Sequence, residues 1–320
     1  MSKKVVKVGT RDSILAMWQT QFVVDELKKV TDQYEFEIIS LKTKGDKILD
    51  VALAKIGDKG LFTKELEVGL LEGEIDFAVH SMKDMPTALP EGLQISSMLK
   101  RHNPADAFVS DKYNSFMELP QGAKVGTSSL RRRAQLLHAR PDLDIHDLRG
   151  NVQTRMRKMR DENFDGIILA AAGLERLEMF DEIKEELSYD ICLPAVSQGV
   201  IGVETRENDD EIIALVQLVN DRQAEICVKA ERALLKSLEG GCQIPIGAYA
   251  ELKEDNIVVL EGMVGSLDGR TIIRESISGT AEQCEQLGQT LAGRLAEQGG
   301  QAILEEIRME LNQGVKGKYI

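Results

Sequence analysis

One pattern occurs twice in this chain and limits its possible folds more than any other feature. Near the N-terminus, an alternating run from Lys4 to Val8 leads into Gly9-Thr10-Arg11-Asp12-Ser13, and apolar residues then recur at helical spacing. A second copy runs from Lys124 through Gly126-Thr127-Ser128-Ser129 and is again followed by a helical segment. Each copy predicts a strand, a turn and a capped helix, with Asp12 or Ser13 as the cap in the first copy and a hydroxyl side chain in the second. The repetition therefore predicts two similar α/β lobes.

Other segments complete the two lobes and add a third part. Further strands are predicted over 35–41, 75–80, 105–110, 143–148, 165–172 and 200–203. Residues 193–199 are predicted to cross back towards the first lobe. A helix over 223–238, a hairpin over 257–278 and helices over 282–295 and 302–311 predict a small α+β domain. We therefore expect a first lobe of residues 1–99 with 200–217, a second of 105–193 and a third domain of 222–320.

Charge, cysteine usage and hydropathy exclude several classes of protein. The net charge of −13 over 320 residues should repel nucleic acid. The four cysteines and four histidines show no ligand spacing, so no metal centre is expected. No apolar run approaches the roughly 20 residues that span a membrane, and no signal-peptide pattern is seen at the N-terminus. These features predict a cytoplasmic protein without membrane contact, and the acidic surface favours a monomer.

Positive charge is nevertheless concentrated in one region. Between Lys124 and Arg160 there are ten Lys/Arg and three acidic residues, a local charge of +7. Arginine dominates, and its planar guanidinium grips carboxylate or phosphate with two hydrogen bonds. Four of the predicted strands are followed by an arginine, namely Arg11, Arg131, Arg149 and Arg176, so we expect several anion-binding turns to converge on one cleft. A solvated helix face with ion pairs to the acidic surface is the alternative interpretation.

Two further segments are candidates for ligand contact in the first lobe. Ser81, Lys83 and Asp84 follow the strand over 75–80, where open α/β sheets bind ligands. The polar, glycine-punctuated residues 42–60 predict a mobile lid whose lysines close over an anion, although a disordered loop accounts for them equally well.

The segment Glu239-Gly240-Gly241-Cys242 followed by Pro245 is the main candidate for chemistry. Two glycines and a proline place the thiol of Cys242 on a shaped, exposed turn, where it can carry a covalent group. A small buried side chain is the alternative interpretation for Cys242, as it is for most free cysteines.

Taken together, these segments resemble the porphobilinogen deaminase family, also called hydroxymethylbilane synthases. The resemblance rests on the following motifs: Gly9-Thr10-Arg11-Asp12-Ser13, Gly60-Leu61-Phe62, Val79-His80-Ser81-Met82-Lys83-Asp84, Gly126-Thr127-Ser128-Ser129-Leu130-Arg131-Arg132, Arg149-Gly150-Asn151-Val152, Pro194-Ala195-Val196-Ser197-Gln198-Gly199 and Glu239-Gly240-Gly241-Cys242. They cover nearly the whole chain. One mild departure is Lys44, where the family pattern leads us to expect arginine; lysine keeps the charge and loses a bidentate contact.

The resemblance implies a fold and a reaction. The fold is two lobes like those of periplasmic binding proteins, hinged by two crossovers, with a small α+β third domain. Cys242 is implied to hold one dipyrromethane cofactor through a thioether. Porphobilinogen units are then added to this primer, each with loss of ammonia, until hydroxymethylbilane is released by hydrolysis. The implied protein is a transferase of tetrapyrrole (haem) biosynthesis.

The resemblance also implies roles for individual residues. Asp84 is the catalytic carboxylate, Asp46, Lys55 and Lys59 belong to the lid, and Phe62 packs against a pyrrole ring. The cofactor and substrate carboxylates are implied to bind Arg11, Ser13, Ser81, Lys83, Thr127, Ser128, Ser129, Arg131, Arg132, Arg149, Arg155 and Arg176. Charge-assisted hydrogen bonds to such carboxylates contribute about 1.5–3 kcal/mol each.

Two other functions fit part of the sequence. A non-enzymatic, two-lobed anion-binding module would explain the arginines, but not the Cys242 turn, the third domain or Asp84. A phosphate-handling enzyme would also use arginines, but the chain has no Walker-type loop and no clustered metal carboxylates.

Overall fold

The structure, a computed structural model, describes residues 3–41, 63–239 and 244–314. Its described residues divide into two compact units. The first unit contains residues 3–41, 63–102 and 199–225, and the second contains 103–198, 226–239 and 244–314. The chain therefore passes from the first unit to the second after His102, returns at Gly199 and leaves again after Glu225.

The first unit contains a five-stranded sheet with four helices. Its strands are β1 (Lys4–Arg11), β2 (Tyr34–Leu41), β3 (Phe77–Ser81), β4 (Leu93–Met98) and β10 (Ile201–Arg206), in the order β2-β1-β3-β10-β4. β1 runs parallel to β2 and β3, whereas β10 is antiparallel to β3 and β4. The helices are α1 (Ile14–Val30), α2 (Lys64–Leu71), α6 (Asp210–Gln217) and the start of α7 (Arg222–Ser237). Apolar residues of α1 and α6 pack against this sheet.

The second unit contains a sheet of the same design. Its strands are β5 (Asp106–Val109), β6 (Lys124–Gly126), β7 (Asp144–His146), β8 (Gly166–Ala170) and β9 (Ile183–Glu186), in the order β7-β6-β8-β5-β9. β6 is parallel to β7 and β8, and β5 is antiparallel to β8. Helices α3 (Leu130–Ala139), α4 (Val152–Asp161) and α5 (Ala171–Arg176) accompany it.

The two sheets correspond strand for strand. β1, β2 and β3 take the places of β6, β7 and β8, and each sheet receives its antiparallel strand, β10 or β5, directly after the chain enters that unit. The prediction of two similar α/β lobes is therefore confirmed.

The second unit also contains the C-terminal α+β part. Its antiparallel sheet has the order β11-β12-β13, formed by β11 (Ile246–Leu252), β12 (Ile257–Gly265) and β13 (Ile272–Thr280). Helices α7, α8 (Cys284–Leu295) and α9 (Gln301–Gly314) accompany it, and residues of α7 and α8 share one apolar core with the sheet. The predicted hairpin and helices are confirmed, whereas β11 was not predicted.

Short contacts join this C-terminal part to α3 of the second lobe. His138 Nδ1 lies 2.8 Å from the carbonyl oxygen of Gly269, in the turn between β12 and β13. Gly269 has φ +72°, and a Cβ there would lie 2.6 Å from the backbone nitrogen of His138. Both observations require glycine at this position.

Among the described residues, no helix is long and apolar enough to cross a membrane. The same residues contain no group of three His, Cys, Asp or Glu side chains arranged to hold a metal ion.

Candidate functional site

In the first unit, the end of β1 and the start of α1 place Arg11 and Ser13. β1 continues through Arg11, three residues beyond the predicted strand. Ser13 caps α1, because its hydroxyl accepts a hydrogen bond from the backbone N–H of Ala16 at 3.3 Å. The helix N-terminus and the Arg11 side chain therefore follow the carboxyl end of one parallel strand, as the sequence predicts.

The neighbouring strand β3 ends at Ser81, next to β1 in the same sheet. The short 3-10 turn Met82–Asp84 follows, in which Met82 is buried, Lys83 is half-buried and Asp84 is exposed. The carboxyl ends of two adjacent parallel strands thus place Arg11, Ser81 and Asp84 at the same edge of the sheet.

Gln19 is a polar residue of this region that the sequence analysis did not identify. It is buried on α1, and its amide nitrogen donates a hydrogen bond to the Ser81 hydroxyl at 2.8 Å. A signal was present, because Gln19 stands four residues before Val23 on the stripe of α1 that faces the core. A buried amide on an apolar stripe is expected to have a specific partner.

The first unit buries three titratable side chains that we call the acid–imidazole cluster: Glu67, His80 and Glu204. His80 Nε2 lies 2.9 Å from Glu204 Oε2, and both side chains are buried. Among the described residues, Glu67 Oε1 and Glu204 Oε1 have no hydrogen-bond partner. Burial raises the pKa of Glu67, and the negative charge of Glu204 raises it further.

In the second unit, the turn after β6 is organised by three hydroxyl groups. The Thr127 hydroxyl accepts a hydrogen bond from the Ser129 N–H at 3.2 Å, and the Ser128 hydroxyl accepts one from the Leu148 N–H at 2.9 Å. Ser129 caps α3 by accepting from the Arg132 N–H. These bonds fix the turn from which Arg131 and Arg132 project.

Arg131 and Arg132 are buried around a carboxylate from a different strand. Asp106, the first residue of β5, is fully buried. Its Oδ2 lies 2.7 Å from Arg131 Nη2, and its Oδ1 accepts from Arg132 Nη2 at 2.6 Å and Nε at 3.1 Å. Burial alone would raise the pKa of Asp106, but the two guanidinium groups hold it far below its usual range.

Two more side chains complete what we call the Asp106 cluster: Asp106, Arg131, Arg132, Cys192 and Gln198. Gln198 Nε2 donates to Asp106 Oδ1 at 2.9 Å, and Cys192 Sγ donates to Oδ2 at 3.2 Å. Burial raises the pKa of the Cys192 thiol to about 12, so it stays protonated and acts as a donor. The cluster therefore holds two cations and one anion.

Three more arginines follow the parallel strands of the second sheet. Arg149 comes after β7, and its Nη1 is buried without a hydrogen-bond partner among the described residues. Burial lowers the pKa of Arg149, and it lowers that of Arg176 to about 10. Both groups remain cationic at neutral pH although they are partly or largely removed from water. Arg155 lies on α4, where its Nε donates to the Gly150 carbonyl at 2.8 Å.

The position of Arg176 differs from the prediction. The apolar run predicts a strand that continues to residue 172 with Arg176 just beyond its end, whereas β8 ends at Ala170 and Arg176 is the last residue of α5. Small residues at 171–173 start a helix directly from the strand, which brings Arg176 one and a half turns along it.

Several predicted residues are not tested by the structure. Cys242, the lid residues Asp46, Lys55 and Lys59, and Phe62 lie outside the described residues, as does Lys44. The described cysteines, Cys192, Cys227 and Cys284, are all buried.

The described geometry defines a class of protein: a two-lobed α/β protein with a C-terminal α+β part and with desolvated arginines suited to a ligand with several carboxylates. Comparison with known proteins is more specific. Residues 6–214 match the family profile described as "Porphobilinogen deaminase, dipyromethane cofactor binding domain", and residues 225–297 match "Porphobilinogen deaminase, C-terminal domain".

Individual relatives agree with this match over almost their full length. A porphobilinogen deaminase from Carboxydothermus hydrogenoformans is 57% identical, covering 97% of this chain and 100% of the relative. Relatives with the same name from Desulforamulus reducens and Moorella thermoacetica are 54% and 52% identical; they cover 96% and 98% of this chain and 99% and 98% of their own. The chain belongs to the porphobilinogen deaminase family, which confirms the resemblance seen in the sequence.

Similarity to solved structures is much weaker. A nutrient-binding protein from Burkholderia cenocepacia bound to methionine aligns with 66% of this chain and 89% of its own at 15% identity and a TM-score of 0.42. At that level the likeness supports no argument about ligand or mechanism.

Proposed function

We propose that this chain is a transferase that adds porphobilinogen units stepwise to a covalently bound dipyrromethane and releases hydroxymethylbilane. One observation carries the proposal: the second lobe holds a surplus of buried or partly buried arginine charge that described side chains do not neutralise. The Asp106 cluster has two cations against one anion, and Arg149 has an unpartnered buried nitrogen. Family membership identifies the ligand that this charge serves.

The described residues fit a pyrrole chain. Each pyrrole of the dipyrromethane carries an acetate and a propionate, so the bound chain is a polycarboxylate. A partly buried guanidinium without a partner costs free energy unless an anion reaches it. The Nη1 atom of Arg149, which is buried without a hydrogen-bond partner among the described residues, is the feature expected of an arginine that binds a ligand carboxylate. We include Arg176 in the same set because it is largely buried and follows β8. Arg131, Arg132 and Arg155, with the hydroxyls of Thr127, Ser128 and Ser129, complete this set in the second lobe.

We assign the covalent attachment to Cys242. The thiols of Cys192, Cys227 and Cys284 are buried, and burial raises the pKa of Cys192 and Cys284, so these sulfurs are poor nucleophiles. Cys242 follows two glycines in a family motif. When bound, the dipyrromethane supplies the pyrrole terminus to which each substrate unit is joined.

We propose that Asp84 is the catalytic carboxylate. Positive charge develops on the porphobilinogen pyrrole as ammonia leaves, and a carboxylate next to the pyrrole N–H stabilises that charge. The Asp84 carboxylate is exposed at the turn after β3, where it can also accept and return a proton. In this proposal Arg11, Ser13, Ser81 and Lys83 bind substrate carboxylates in the first lobe. Asp46, Lys55 and Lys59 are assigned to the lid and Phe62 to packing against a pyrrole ring, on the family resemblance alone.

We further propose that the protein is a cytoplasmic monomer. The acidic composition, with a net charge of −13, keeps copies of the chain apart. A binding module and a phosphate-handling enzyme remain weaker proposals, because neither accounts for the family's C-terminal domain over residues 225–297.

The test is the intact mass of the denatured protein. We expect wild type to exceed the mass of its chain by two linked pyrrole units and to give a positive colour test for pyrroles. A Cys242→Ser variant should show the bare chain mass. Cys284→Ser is the matched control and should keep the adduct. A bare wild-type chain, even after incubation with porphobilinogen, would favour the binding module instead.

A further inference from the structure

Asp106 lies outside the motifs that carried the family resemblance, yet it contacts two arginines of the proposed site. Its carboxylate is fully buried and accepts from five donor atoms: Arg131 Nη2, Arg132 Nε and Nη2, Gln198 Nε2 and Cys192 Sγ. A carboxylate has about four lone-pair positions, so this one is saturated. It is therefore not a group that waits for substrate.

We propose that Asp106 is a positioning residue for the bound pyrrole chain, which holds Arg131 and Arg132 in the orientation that receives ligand carboxylate. The inference rests on the proposed function and deepens it. In this inference the folded protein, and not the bound ligand, determines the orientation of the two arginines.

The geometry explains how one aspartate orients two arginines. Arg132 donates Nε and Nη2 to the same oxygen, Oδ1, while its Nη1 donates to the Ile168 carbonyl at 2.9 Å. The plane of the guanidinium is thus fixed from two sides. Arg131 uses Nη2 on Oδ2 and Nη1 on the Leu193 carbonyl at 2.6 Å. Fixing such long side chains before binding removes an entropic cost from the binding step.

The charge balance explains why the cluster still attracts an anion. Two guanidinium groups and one carboxylate leave one unit of positive charge, since the Gln198 amide is neutral and the Cys192 thiol is protonated. A second acidic residue would cancel the attraction, and no acidic residue would leave two like charges in contact. One buried aspartate keeps both arginines together and leaves them cationic towards a ligand.

The alternative is that Asp106 only stabilises the fold, since Gln198 also ties it to the segment that leads back to β10. The two roles predict different behaviour of protein that has folded. A fold-stabilising aspartate changes the melting temperature, but folded molecules load the cofactor normally. A positioning aspartate changes the rate of cofactor loading in molecules that are already folded.

The experiment measures that loading rate. Full-length wild type, Asp106→Asn and Asp106→Glu are produced in cells that cannot make porphobilinogen, and the folded fraction is incubated with porphobilinogen. Intact mass then follows the covalent gain of two pyrroles. We expect Asp106→Asn to load at least tenfold more slowly than wild type. Asp106→Glu keeps the charge but displaces both guanidinium groups by one methylene, so we expect a three- to tenfold slowing.

Asp165→Asn is the matched control in the same lobe. Asp165 accepts hydrogen bonds from the Lys124 N–H at 2.9 Å and from Lys112 Nζ at 3.0 Å, so its loss weakens the lobe at groups outside the Asp106 cluster. It should lower the melting temperature and load at the wild-type rate. If Asp106→Asn yields no folded protein, the loading rate of Asp106→Glu tests the inference.

The possible results distinguish failure of the proposed function from failure of the inference about Asp106. A wild-type chain that gains no pyrrole mass would overturn the proposed function and this inference with it. A wild-type chain that loads, beside folded Asp106 variants that load equally fast, would overturn the inference alone.

Discussion

The two lobes share one strand order but bury different kinds of charged group. In the first lobe, the acid–imidazole cluster places two carboxyl groups around the imidazole of His80. In the second lobe, the Asp106 cluster places two guanidinium groups around one carboxylate. Both clusters lie close to the carboxyl ends of parallel strands. The shared strand order therefore sets where the buried polar groups lie, and the side chains decide whether carboxyl or guanidinium groups predominate there.

From this difference we infer that the two lobes have different roles in the proposed reaction. In the proposed function, the surplus of arginine charge lets the second lobe hold a polycarboxylate for many turnovers. The first lobe presents the exposed Asp84, which we propose acts on a charge that appears only during the reaction.

Replacing Asp84 should remove the reaction and leave the fold intact. We expect Asp84→Asn to lower turnover by about 10²–10⁴-fold, because it loses both a positioned acid–base group and a negative charge next to the pyrrole. Its melting temperature should match that of wild type, since the side chain is exposed. Turnover is measured as product formed from porphobilinogen.

The control is Glu91→Gln, which removes another exposed carboxylate from the same unit. It should leave turnover unchanged. Near-normal turnover in Asp84→Asn would contradict the assignment of the reacting group to the first lobe.

The sequence predicted the placement of the strand-end residues well. Ser13 and Ser129 cap the helices expected of them, and Ser81 and Asp84 follow the predicted strand. These features are local, since a hydroxyl before an apolar helical stripe identifies a helix start from nearby residues alone.

What the sequence could not supply is the long-range pairing of charges. The count of +7 between Lys124 and Arg160 omitted acids elsewhere in the chain that neutralise part of it. Arg131 and Arg132 share Asp106, and Arg160 pairs with Asp111 and Glu182. The partner of a buried arginine depends on tertiary contact, which residue spacing does not reveal.

The three strands missed by the sequence analysis share one property. β4, β9 and β11 each lie at an edge of their sheet. An edge strand pairs on one side only, so its residues need less of the apolar pattern that identifies a central strand. β9, Ile183–Glu186, has two exposed side chains among its four residues.

The repeated glycines offer a test of how closely the two lobes correspond. Gly9 and Gly126 occupy equivalent positions in the repeated Gly-Thr motif, two residues before the end of β1 and at the end of β6. A Cβ at Gly126 would lie 2.9 Å from Leu148 Cδ2 and 3.0 Å from Ile167 Cγ2, whereas one at Gly9 would overlap Ile75 Cδ1. We expect Gly126→Ala to lower the free energy of unfolding by about 1–3 kcal/mol. Gly9→Ala should cost less, because its closest contacts are the ends of two side chains, Ile75 Cδ1 and Leu66 Cδ2, whereas a Cβ at Gly126 also lies 3.2 Å from Leu148 Cβ.

Urea unfolding measures both changes. Gly293→Ala is the control, since a Cβ there meets no atom within 4 Å and the residue lies within α8. It should be neutral or stabilising by up to about 1 kcal/mol. A larger cost at Gly9 than at Gly126 would contradict this order and would show that the side chains around Gly9 cannot move aside.

The opposite pKa shifts of Glu67 and Asp106 should give opposite responses to pH. Burial raises the pKa of Glu67, so the folded protein binds this proton more tightly than the unfolded chain. Stability is then greatest below the unfolded pKa of about 4.3 and falls as pH rises through the folded pKa. The pKa of Asp106 is lowered, so its contribution is present above about pH 4 and is lost only in stronger acid.

Glu67→Gln should therefore gain stability relative to wild type as pH rises from 5 to 8. The measurement is the difference in melting temperature between the two proteins at several pH values, with Glu91→Gln as an exposed control that should show no such trend. A difference that stays constant or shrinks with pH would mean that Glu67 is ionised in the folded protein across this range.

The smallest effects are expected at surface ion pairs, where the two lobes should behave alike. Lys4 pairs with Glu211 at 2.6 Å in the first unit, with side chains 57% and 50% exposed, and Arg160 pairs with Asp111 at 2.9 Å in the second, with both 47% exposed. Each pair should contribute no more than about 1 kcal/mol. Arg160 also contacts Glu182, so Arg160→Gln should cost slightly more than Lys4→Gln.

Salt separates this contribution from that of the buried clusters. At about 1 M salt the Debye length falls to about 3 Å, so both surface substitutions should become neutral in urea unfolding while Asp106→Glu keeps its effect. If Arg160→Gln instead destabilised the protein by several kcal/mol at any salt concentration, the exposed arginines of the second lobe would share in its stability. The contrast between the lobes would then extend to their surfaces and could not be assigned to the Asp106 cluster alone.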